Sequence, residues 1–218
     1  TFRVGPGREL GPEHFRAMLL DAGAQAHLAT TAWVENHYRW IVWKLASYAR
    51  AFPDAARADA GTLLSKHSVL SQLKYRYERE VNRAQFPALR RVLEQDCSPA
   101  TPMVLCVSAV RSMGRDGAPA SANRSAPGTS ALVLLGDKAG GGGDDSAPEP
   151  AEVELTDGWY WVRAKLDMPM TYQLWQGRAL FPGYKLLVCG AKLTGSDAPA
   201  PPLEACARTG LQLSFNSC

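Results

Sequence analysis

The chain has 218 residues, which is enough for one large domain or two small ones, each with its own core. Its 24 Lys and Arg residues against 21 Asp and Glu residues leave a formal charge of +3, which excludes a strongly basic module that binds nucleic acid by charge alone. The charge is unevenly placed, because residues 1–100 have a balance of +4 and residues 101–218 a balance of −1. We therefore expect the two halves to have different partners.

The cysteines and the apolar runs exclude further classes of protein. Five cysteines are an odd number and form no C-x-x-C pair, which argues against a disulfide framework and against a zinc ribbon. No apolar run approaches the roughly 20 residues that span a bilayer, and the N-terminal sequence has no apolar signal core. We expect a soluble intracellular protein with no membrane segment.

The first half of the chain has the spacing of amphipathic helices. Apolar residues recur every three or four positions in segments 12–23, 30–52, 68–83 and 87–96. Prolines suit the first turn of the first and last segments, and Pro53 ends the longest one. No strand signal interrupts this pattern, so residues 1–98 are predicted to form an all-α helical domain.

The longest segment carries two adjoining stripes, which indicates a helix that packs on more than one side. The first contains Val34, Tyr38, Ile41, Leu45 and Tyr48, and the second contains Trp33, His37, Trp40 and Lys44. Because a helical tryptophan is more often part of the core than a binding platform, Trp33 and Trp40 are expected to be buried.

After Pro99 the periodicity becomes that of strands. The apolar run 103–110 fits a buried strand. Alternating runs on either side of Asp157-Gly158 predict a hairpin over residues 152–167, since an Asp-Gly pair between such runs is a strong turn signal.

The rest of the second half completes the fold prediction. A short helix at 170–177 precedes a strand at 183–195 that bends at Gly190. Together with the hairpin, these elements predict a small Greek-key barrel of the oligonucleotide/oligosaccharide-binding (OB) kind over residues 99–218, one strand short of five. Its residues 114–150 are rich in Gly, Ala, Pro and Ser and are predicted to be a disordered insertion. The predicted fold class is therefore α+β with two domains.

Few patterns in the sequence support catalysis or metal binding. The four histidines are far apart and have no carboxylate or cysteine at ligand spacing, so neither a metal site nor a cofactor is predicted. The string SQLK at 71–74 matches the S-x-x-K pattern of penicillin-binding enzymes, but no S-D-N string accompanies it. The run GGGG at 140–143 is followed by two aspartates, which do not bind phosphate. We therefore predict no catalytic residues and no enzymatic activity.

Two sets of side chains are candidates for binding. On the helices, Lys74, Arg76, Arg79 and Arg83 lie away from the apolar stripe. They form either a solvated surface or a docking surface for an acidic protein, because charge complementarity speeds and orients association.

In the barrel, Trp159 and Trp161 are alternate residues of a predicted strand, so they are expected to share a face. That face is either packed or a platform on which bases stack. Basic residues on the predicted barrel strands are candidates for weak phosphate contacts, and these are Arg163, Lys165, Lys185 and Lys192.

Five segments of the sequence closely resemble the breast-cancer type-two susceptibility protein family. They are WVENHYRWIVWKLASYARAFP (33–53), LSQLKYRYEREVNR (70–83), MVLCVSAV (103–110), ELTDGWYWVRAKLD (154–167) and GAKLTGSDAPAPPLEA (190–205). The resemblance implies the helical domain and the first OB fold of a nuclear mediator of homologous recombination and double-strand break repair, a family of tumour suppressors. Such a mediator loads a RecA-like recombinase onto single-stranded DNA and is not an enzyme.

The resemblance also implies partners. In that family the helical domain and the first OB fold dock a small acidic protein, the split-hand/split-foot deletion product. The expected docking residues are Trp43, Lys74, Arg76, Arg79 and Arg83. The recombinase and most of the single-stranded DNA are expected to bind elsewhere in the full-length protein, and the alternative is an OB module that binds single-stranded DNA directly.

Overall fold

The computed structural model of the chain forms two compact units. It describes residues 2–3, 9–54, 63–111, 150–176, 179–195 and 198–218. The helical unit consists of Thr1–Pro87 together with Gly158–Tyr160, and the sheet unit consists of Ala88–Asp157 and Trp161–Cys218. The predicted insertion at 114–150 lies outside the described residues apart from Pro150.

The helical unit begins with a two-stranded antiparallel ladder and continues with helices. Its elements are β1 (Phe2–Arg3), β2 (Glu9–Leu10), α1 (Pro12–Asp21), α2 (Thr31–Ala51) and α3 (Lys66–Tyr77), which continues as a π-helical turn at Glu78–Asn82. These helices confirm the first three predicted segments to within a few residues. Among the described residues, no helix has the length and hydropathy that crossing a membrane requires.

The helix ends follow local sequence signals. The Thr30 hydroxyl caps α2 by accepting a hydrogen bond from Trp33 N at 3.2 Å, and Ser65 caps α3 in the same way through Ser68 N. Helix α1 begins with Pro12 in its first turn and is followed by Gly23, whose φ of 99° is in the region that favours glycine.

Both predicted stripes of α2 are buried for most of their length. Val34, Ile41 and Trp40 have no more than 1% exposure and pack with α1 and α3. The last residues of the two stripes, Lys44 and Tyr48, are instead exposed. The expectation that Trp33 and Trp40 belong to the core is confirmed, since they are 7% and 1% exposed.

The sheet unit contains one six-stranded mixed sheet and three short helices. Its elements are α4 (Ala88–Leu93), β3 (Met103–Arg111), β4 (Glu152–Thr156), β5 (Trp161–Leu166), α5 (Met168–Trp175), β6 (Lys185–Val188), β7 (Lys192–Gly195), α6 (Pro202–Arg208) and β8 (Thr209–Leu213). The strand order is β6-β3-β4-β5-β8-β7, and β5 and β8 are the parallel pair within it. The α+β class and the OB-type architecture are thus confirmed.

Several details of the sheet differ from the sequence prediction. The barrel was expected to lack its final strand, but β8 supplies it by pairing with both β5 and β7. The predicted bent strand over 183–195 is divided into β6 and β7 by Gly190, whose φ is 77°. The hairpin prediction is confirmed, with Thr156 paired to Trp161 and Gly158 at a φ of 88° in the connection.

Candidate partner-binding and nucleic-acid-binding surfaces

Half-exposed aromatic rings line the C-terminal half of α2. Lys44, Tyr48 and Phe52 follow one another at intervals of four residues, a spacing that places side chains on one face of a helix. Tyr48 is 45% exposed and Phe52 is 56% exposed, and their ring centroids are 5.0 Å apart. Such a cluster of large apolar side chains in contact with solvent is typical of an interaction surface.

The same surface continues onto α3. Lys44 Nζ donates to Gln72 Oε1 at 3.3 Å, and Arg79 Nη1 donates to the Tyr75 hydroxyl at 2.7 Å. Tyr75 is 52% exposed, and the Arg79 guanidinium carbon is 5.6 Å from the centre of its ring. We call Lys44, Tyr48, Phe52, Tyr75 and Arg79 the aromatic–basic stripe.

The pKa of Lys44 reflects its burial and the nearby Arg76 and Tyr75 side chains. Burial lowers the pKa of its ammonium group below the ordinary value, and the positive charge of Arg76 lowers it further. Tyr75 acts in the opposite direction and raises the pKa of Lys44. A negatively charged partner at this position would therefore relieve repulsion between neighbouring cations.

The predicted docking residues fall into different environments. Lys74 and Arg79 are exposed on α3, and Arg79 belongs to the aromatic–basic stripe. Arg83 is also exposed, and its Nε lies 2.8 Å from Glu78 Oε1. Trp43 is half-buried, with its ring packed edge-to-face on Trp40 at 5.9 Å.

Arg76 is buried, unlike the other predicted docking residues. It is 3% exposed, and its Nη1 is 3.0 Å from His37 Nδ1. Because a guanidinium only donates, Nδ1 accepts this bond and the imidazole proton is assigned to Nε2. His37 Nε2 lies 3.2 Å from Glu80 Oε2. The imidazole therefore connects the buried guanidinium to a buried carboxylate.

Glu80 accepts hydrogen bonds from two aromatic side chains and lies beside the His37 imidazole. Its Oε1 accepts from the Tyr160 hydroxyl at 2.6 Å, and its Oε2 accepts from Trp33 Nε1 at 3.0 Å in addition to the His37 contact. Glu80 is 1% exposed, so these donors replace the water that the carboxylate gives up. Arg76 supplies the balancing positive charge through His37.

Trp159 is held by the same buried network. Arg76 Nη2 donates to Gly158 O at 2.8 Å, and the Arg76 guanidinium carbon is 4.8 Å from the centre of the Trp159 ring. The Trp159 carbonyl accepts from Asn36 Nδ2 at 2.7 Å. The structure thus brings together Arg76 and Trp159, which the sequence analysis placed in sites for different ligands.

The expectation that Trp159 and Trp161 share a strand face is wrong. Trp159 lies in the connection between β4 and β5 and belongs to the helical unit, whereas Trp161 is the first residue of β5 in the sheet unit. The Asp-Gly pair sets the position of the turn but not its length, and Thr156 pairs with Trp161 across four intervening residues.

Charged residues form a row across the outer face of the sheet. Side chains directly opposite in register point to the same face, and the registers align Arg111, Glu152, Lys165, Gln212 and Lys192 on five successive strands. Lys165 and Lys192, two of the predicted phosphate contacts, therefore lie on either side of Gln212.

Two further predicted nucleic-acid residues, Trp161 and Arg163, belong to the same face. Trp161, Arg163 and Lys165 alternate along β5 with the buried residues Val162 and Ala164. Arg163 Nε lies 3.7 Å from Glu152 Oε1, a long and partly exposed contact that contributes little energy.

The outer face is more basic than the overall charge suggests. Six of the eleven acidic residues and four of the ten basic residues in 101–218 lie outside the described residues, so the −1 balance does not describe this face. Its charged side chains are Arg111, Glu152, Glu154, Arg163, Lys165, Lys185 and Lys192. Five of these seven are basic.

Metal and nucleophile chemistry have little support in this part of the chain. Within the described ranges, no group of three or more His, Cys, Asp or Glu side chains is placed to hold a metal ion. Ser71 of the SQLK string is exposed, and its hydroxyl is 3.5 Å from His67 Nε2 on the same helix.

Comparison with protein families gives two matches that follow one another along the chain. Residues 6–84 match the family described as BRCA2, helical, and residues 87–218 match BRCA2, oligonucleotide/oligosaccharide-binding, domain 1. The chain belongs to the BRCA2 family. The resemblance noted in the sequence is thereby confirmed, and the two BRCA2 matches meet where the structure divides into its two units.

Two plant proteins are similar to this BRCA2-family chain over most of its length. Homologs A and B of protein BREAST CANCER SUSCEPTIBILITY 2 from Arabidopsis thaliana are each 40% identical to it over 208 residues, or 95% of the chain. The chain spans 16% of the length of each of these relatives.

Sequence reasoning missed several residues that the structure makes prominent in this BRCA2-family chain. Lys44 and Tyr48 were assigned to buried stripes, and Phe52 and Tyr75 were not considered for binding. Glu80 was not considered either, because a charged residue near the end of a helix is usually solvated. Its spacing of four from Arg76 was the available signal for an interaction along α3.

Proposed function

We propose that this chain is part of a nuclear mediator of homologous recombination, in which it serves as a docking module and not as an enzyme. Membership of the BRCA2 family supports a role in recombination and DNA repair. The proposed partner is the small acidic split-hand/split-foot deletion protein, and the RecA-like recombinase binds through other parts of the full-length protein. The single observation that carries the docking role is the aromatic–basic stripe.

The stripe fits an acidic, extended polypeptide for physical reasons. Three half-exposed aromatic rings provide apolar contact area, and Lys44 and Arg79 lie among them. Aromatic residues dominate the energy of many interfaces, while the charges orient the partner and speed its association. Arg76 is left out of the proposed contact surface because it is buried.

A charge-reversal experiment tests this surface. The double variant Lys44→Glu, Arg79→Glu is expected to weaken binding of the acidic partner at least tenfold, because each substitution replaces an attraction by a repulsion. The matched control is Arg50→Glu, Arg91→Glu, which makes the same change in net charge at two exposed positions outside the stripe. Dissociation constants are measured by isothermal titration calorimetry.

The outcome that contradicts the proposal is equal binding by the stripe variant and the control. A second pair of variants examines the apolar contribution. Tyr48→Ala and Phe52→Ala are each expected to weaken partner binding several-fold without unfolding the chain, since both rings are largely exposed. Circular dichroism verifies the fold of every variant.

A second candidate function, direct binding of single-stranded DNA, is favoured by the basic outer face of the sheet. Lys165 and Lys192 flank Gln212 in one row, and Trp161 and Arg163 lie beside Lys165 on β5. Proteins that bind single-stranded DNA usually combine a basic groove, which contacts the phosphate backbone, with aromatic side chains on which the bases stack. We infer weak binding for the sheet unit alone.

The salt dependence of oligo-dT binding tests this second function. The variant Lys165→Ala, Lys192→Ala is expected to lower the magnitude of the slope of log K against log salt by about 1.4 if each lysine contacts one phosphate. The single variant Trp161→Ala is sufficient to test base stacking, because Trp159 belongs to the buried network. Full DNA affinity in the Trp161 variant would argue against a stacking platform.

A further inference from the structure

We propose that Cys189 and Cys218 are a redox-active pair that closes to an intramolecular disulfide in the presence of a low-molecular-weight disulfide of the oxidised-glutathione class. All five cysteines are free thiols in the structure. The proposal is independent of partner and DNA binding, and it rests on the arrangement of two segments within the sheet unit.

The backbone brings the two residues together. Cys189 directly follows β6, and its N–H donates to the carbonyl of Ser217 at 2.7 Å. This hydrogen bond places Cys189 directly beside the 3-10 turn at Phe215–Ser217. Cys218 shares the peptide group that accepts this bond, so its Cα is also close to that of Cys189. Disulfides join Cα atoms that are about 4.4–6.8 Å apart, a range that this arrangement allows.

The environment of the two thiols supports both proximity and access. Burial raises the pKa of the Cys218 thiol, a hydrogen bond with Ser217 lowers it, and negative charge on Asp167 and on Cys189 raises it again. This electrostatic effect of Cys189 agrees with the backbone hydrogen bond that places the two residues side by side. Cys218 is exposed and Cys189 is half-buried, so a small oxidant reaches the pair.

The other cysteines have different surroundings. Cys206 is buried, its Sγ donates to the Trp161 carbonyl at 2.7 Å, and burial raises its pKa to about 12. Cys97 Sγ lies 3.2 Å from Thr101 Oγ1. Cys106 lies on β3, where burial raises its pKa. The charge of another cysteine affects the pKa of neither Cys206 nor Cys106.

The reaction proceeds by two thiol–disulfide exchanges. One thiolate of the pair attacks the small disulfide, forms a mixed disulfide and releases one small thiolate, which takes up a proton. The second thiolate then attacks the protein sulfur of the mixed disulfide, forms the Cys189–Cys218 bond and releases a second small thiol. The protein loses two protons and two electrons, and the oxidant gains them.

The bond would have a structural consequence within the sheet unit. It joins the bend between β6 and β7 to the turn at Phe215–Ser217, which closes a loop of about 30 residues that includes β7, α6 and β8. Because a closed loop reduces the freedom of the unfolded chain, we expect the oxidised protein to have a Tm several degrees above that of the reduced protein.

Intact-mass spectrometry tests the proposal. The chain is incubated with excess oxidised glutathione, remaining thiols are alkylated, and the protein is digested without reduction. We expect a species that lacks two hydrogens and a cross-linked peptide that contains Cys189 and Cys218. Cys97→Ser, the matched control, is expected to behave in the same way, whereas Cys189→Ser is expected to stop at a glutathione adduct.

Three outcomes would overturn the proposal. The first is a wild-type product that consists only of glutathione adducts, the second is a covalent dimer, and the third is a disulfide that maps to another pair of cysteines. If the Cys189→Ser variant still loses two hydrogens, the disulfide has formed between other cysteines, which is the third outcome.

Discussion

Replacing Arg76 by methionine removes the buried positive charge but keeps a side chain of similar length. Arg76→Met loses the hydrogen bonds to His37 Nδ1 and Gly158 O and the contact with the Trp159 ring. Glu80 is then left at 1% exposure in a network that has lost its guanidinium. Removing one charged member of a buried hydrogen-bonded network typically costs about 3–5 kcal/mol, so we expect the free energy of unfolding to fall by that amount.

Urea denaturation followed by far-UV circular dichroism measures this effect, since most helical residues belong to the helical unit. Lys74→Met is the control, because Lys74 is exposed on the same helix and its replacement is expected to change stability by no more than about 0.5 kcal/mol. The variant Arg76→Met, Glu80→Gln removes both charges and is expected to be less destabilised than the sum of its single variants. A loss below about 1 kcal/mol for Arg76→Met would refute the reasoning.

Two further predictions follow from burial. Trp40→Ala removes a ring that is 1% exposed and is expected to cost the helical unit about 3–5 kcal/mol in urea denaturation; stable folding would show that the core is elsewhere. Burial raises the pKa of Cys206 to about 12, so at pH 8 only about one thiol in ten thousand is ionised and iodoacetamide is expected to label Cys206 only after unfolding. Rapid labelling of Cys206 in the native protein, read by peptide mass spectrometry, would contradict that prediction.

Periodicity and turn chemistry were sufficient to predict most of the architecture. The two stripes of α2 predict which residues are buried because every turn of a helix has the same geometry, so a long segment repeats the pattern of buried positions over several turns. The Asp-Gly pair placed the hairpin correctly for the same local reason. Strand β8 was missed because its pairing with β5 and β7 is non-local and TGLQL is short.

The buried polar network could not be predicted from the hydrophobic pattern of the sequence. Hydrophobic periodicity treats Arg76 and Glu80 as solvated residues, yet each is buried because the other and His37 are present. The π-helical turn at Glu78–Asn82 also changes which side chains face inward at the end of α3. In this turn the apolar Val81 is half-buried, whereas the charged Glu80 is buried.

The candidate docking surface was predicted only in part. The basic character of α3 was visible in the sequence, and Lys74, Arg79 and Arg83 are exposed as a docking role requires. The aromatic component was not visible, because Tyr48 continues the buried stripe of α2 in sequence but is 45% exposed in the structure.

The central claim is that this chain is a docking module whose acidic partner binds the helical unit. The most direct measurement is a titration of the chain with the acidic split-hand/split-foot deletion protein and, separately, with labelled oligo-dT, each at two salt concentrations. We predict tight partner binding and weak DNA binding. Strong, salt-sensitive DNA binding with no measurable affinity for the acidic protein would contradict the account and would assign the binding function to the sheet.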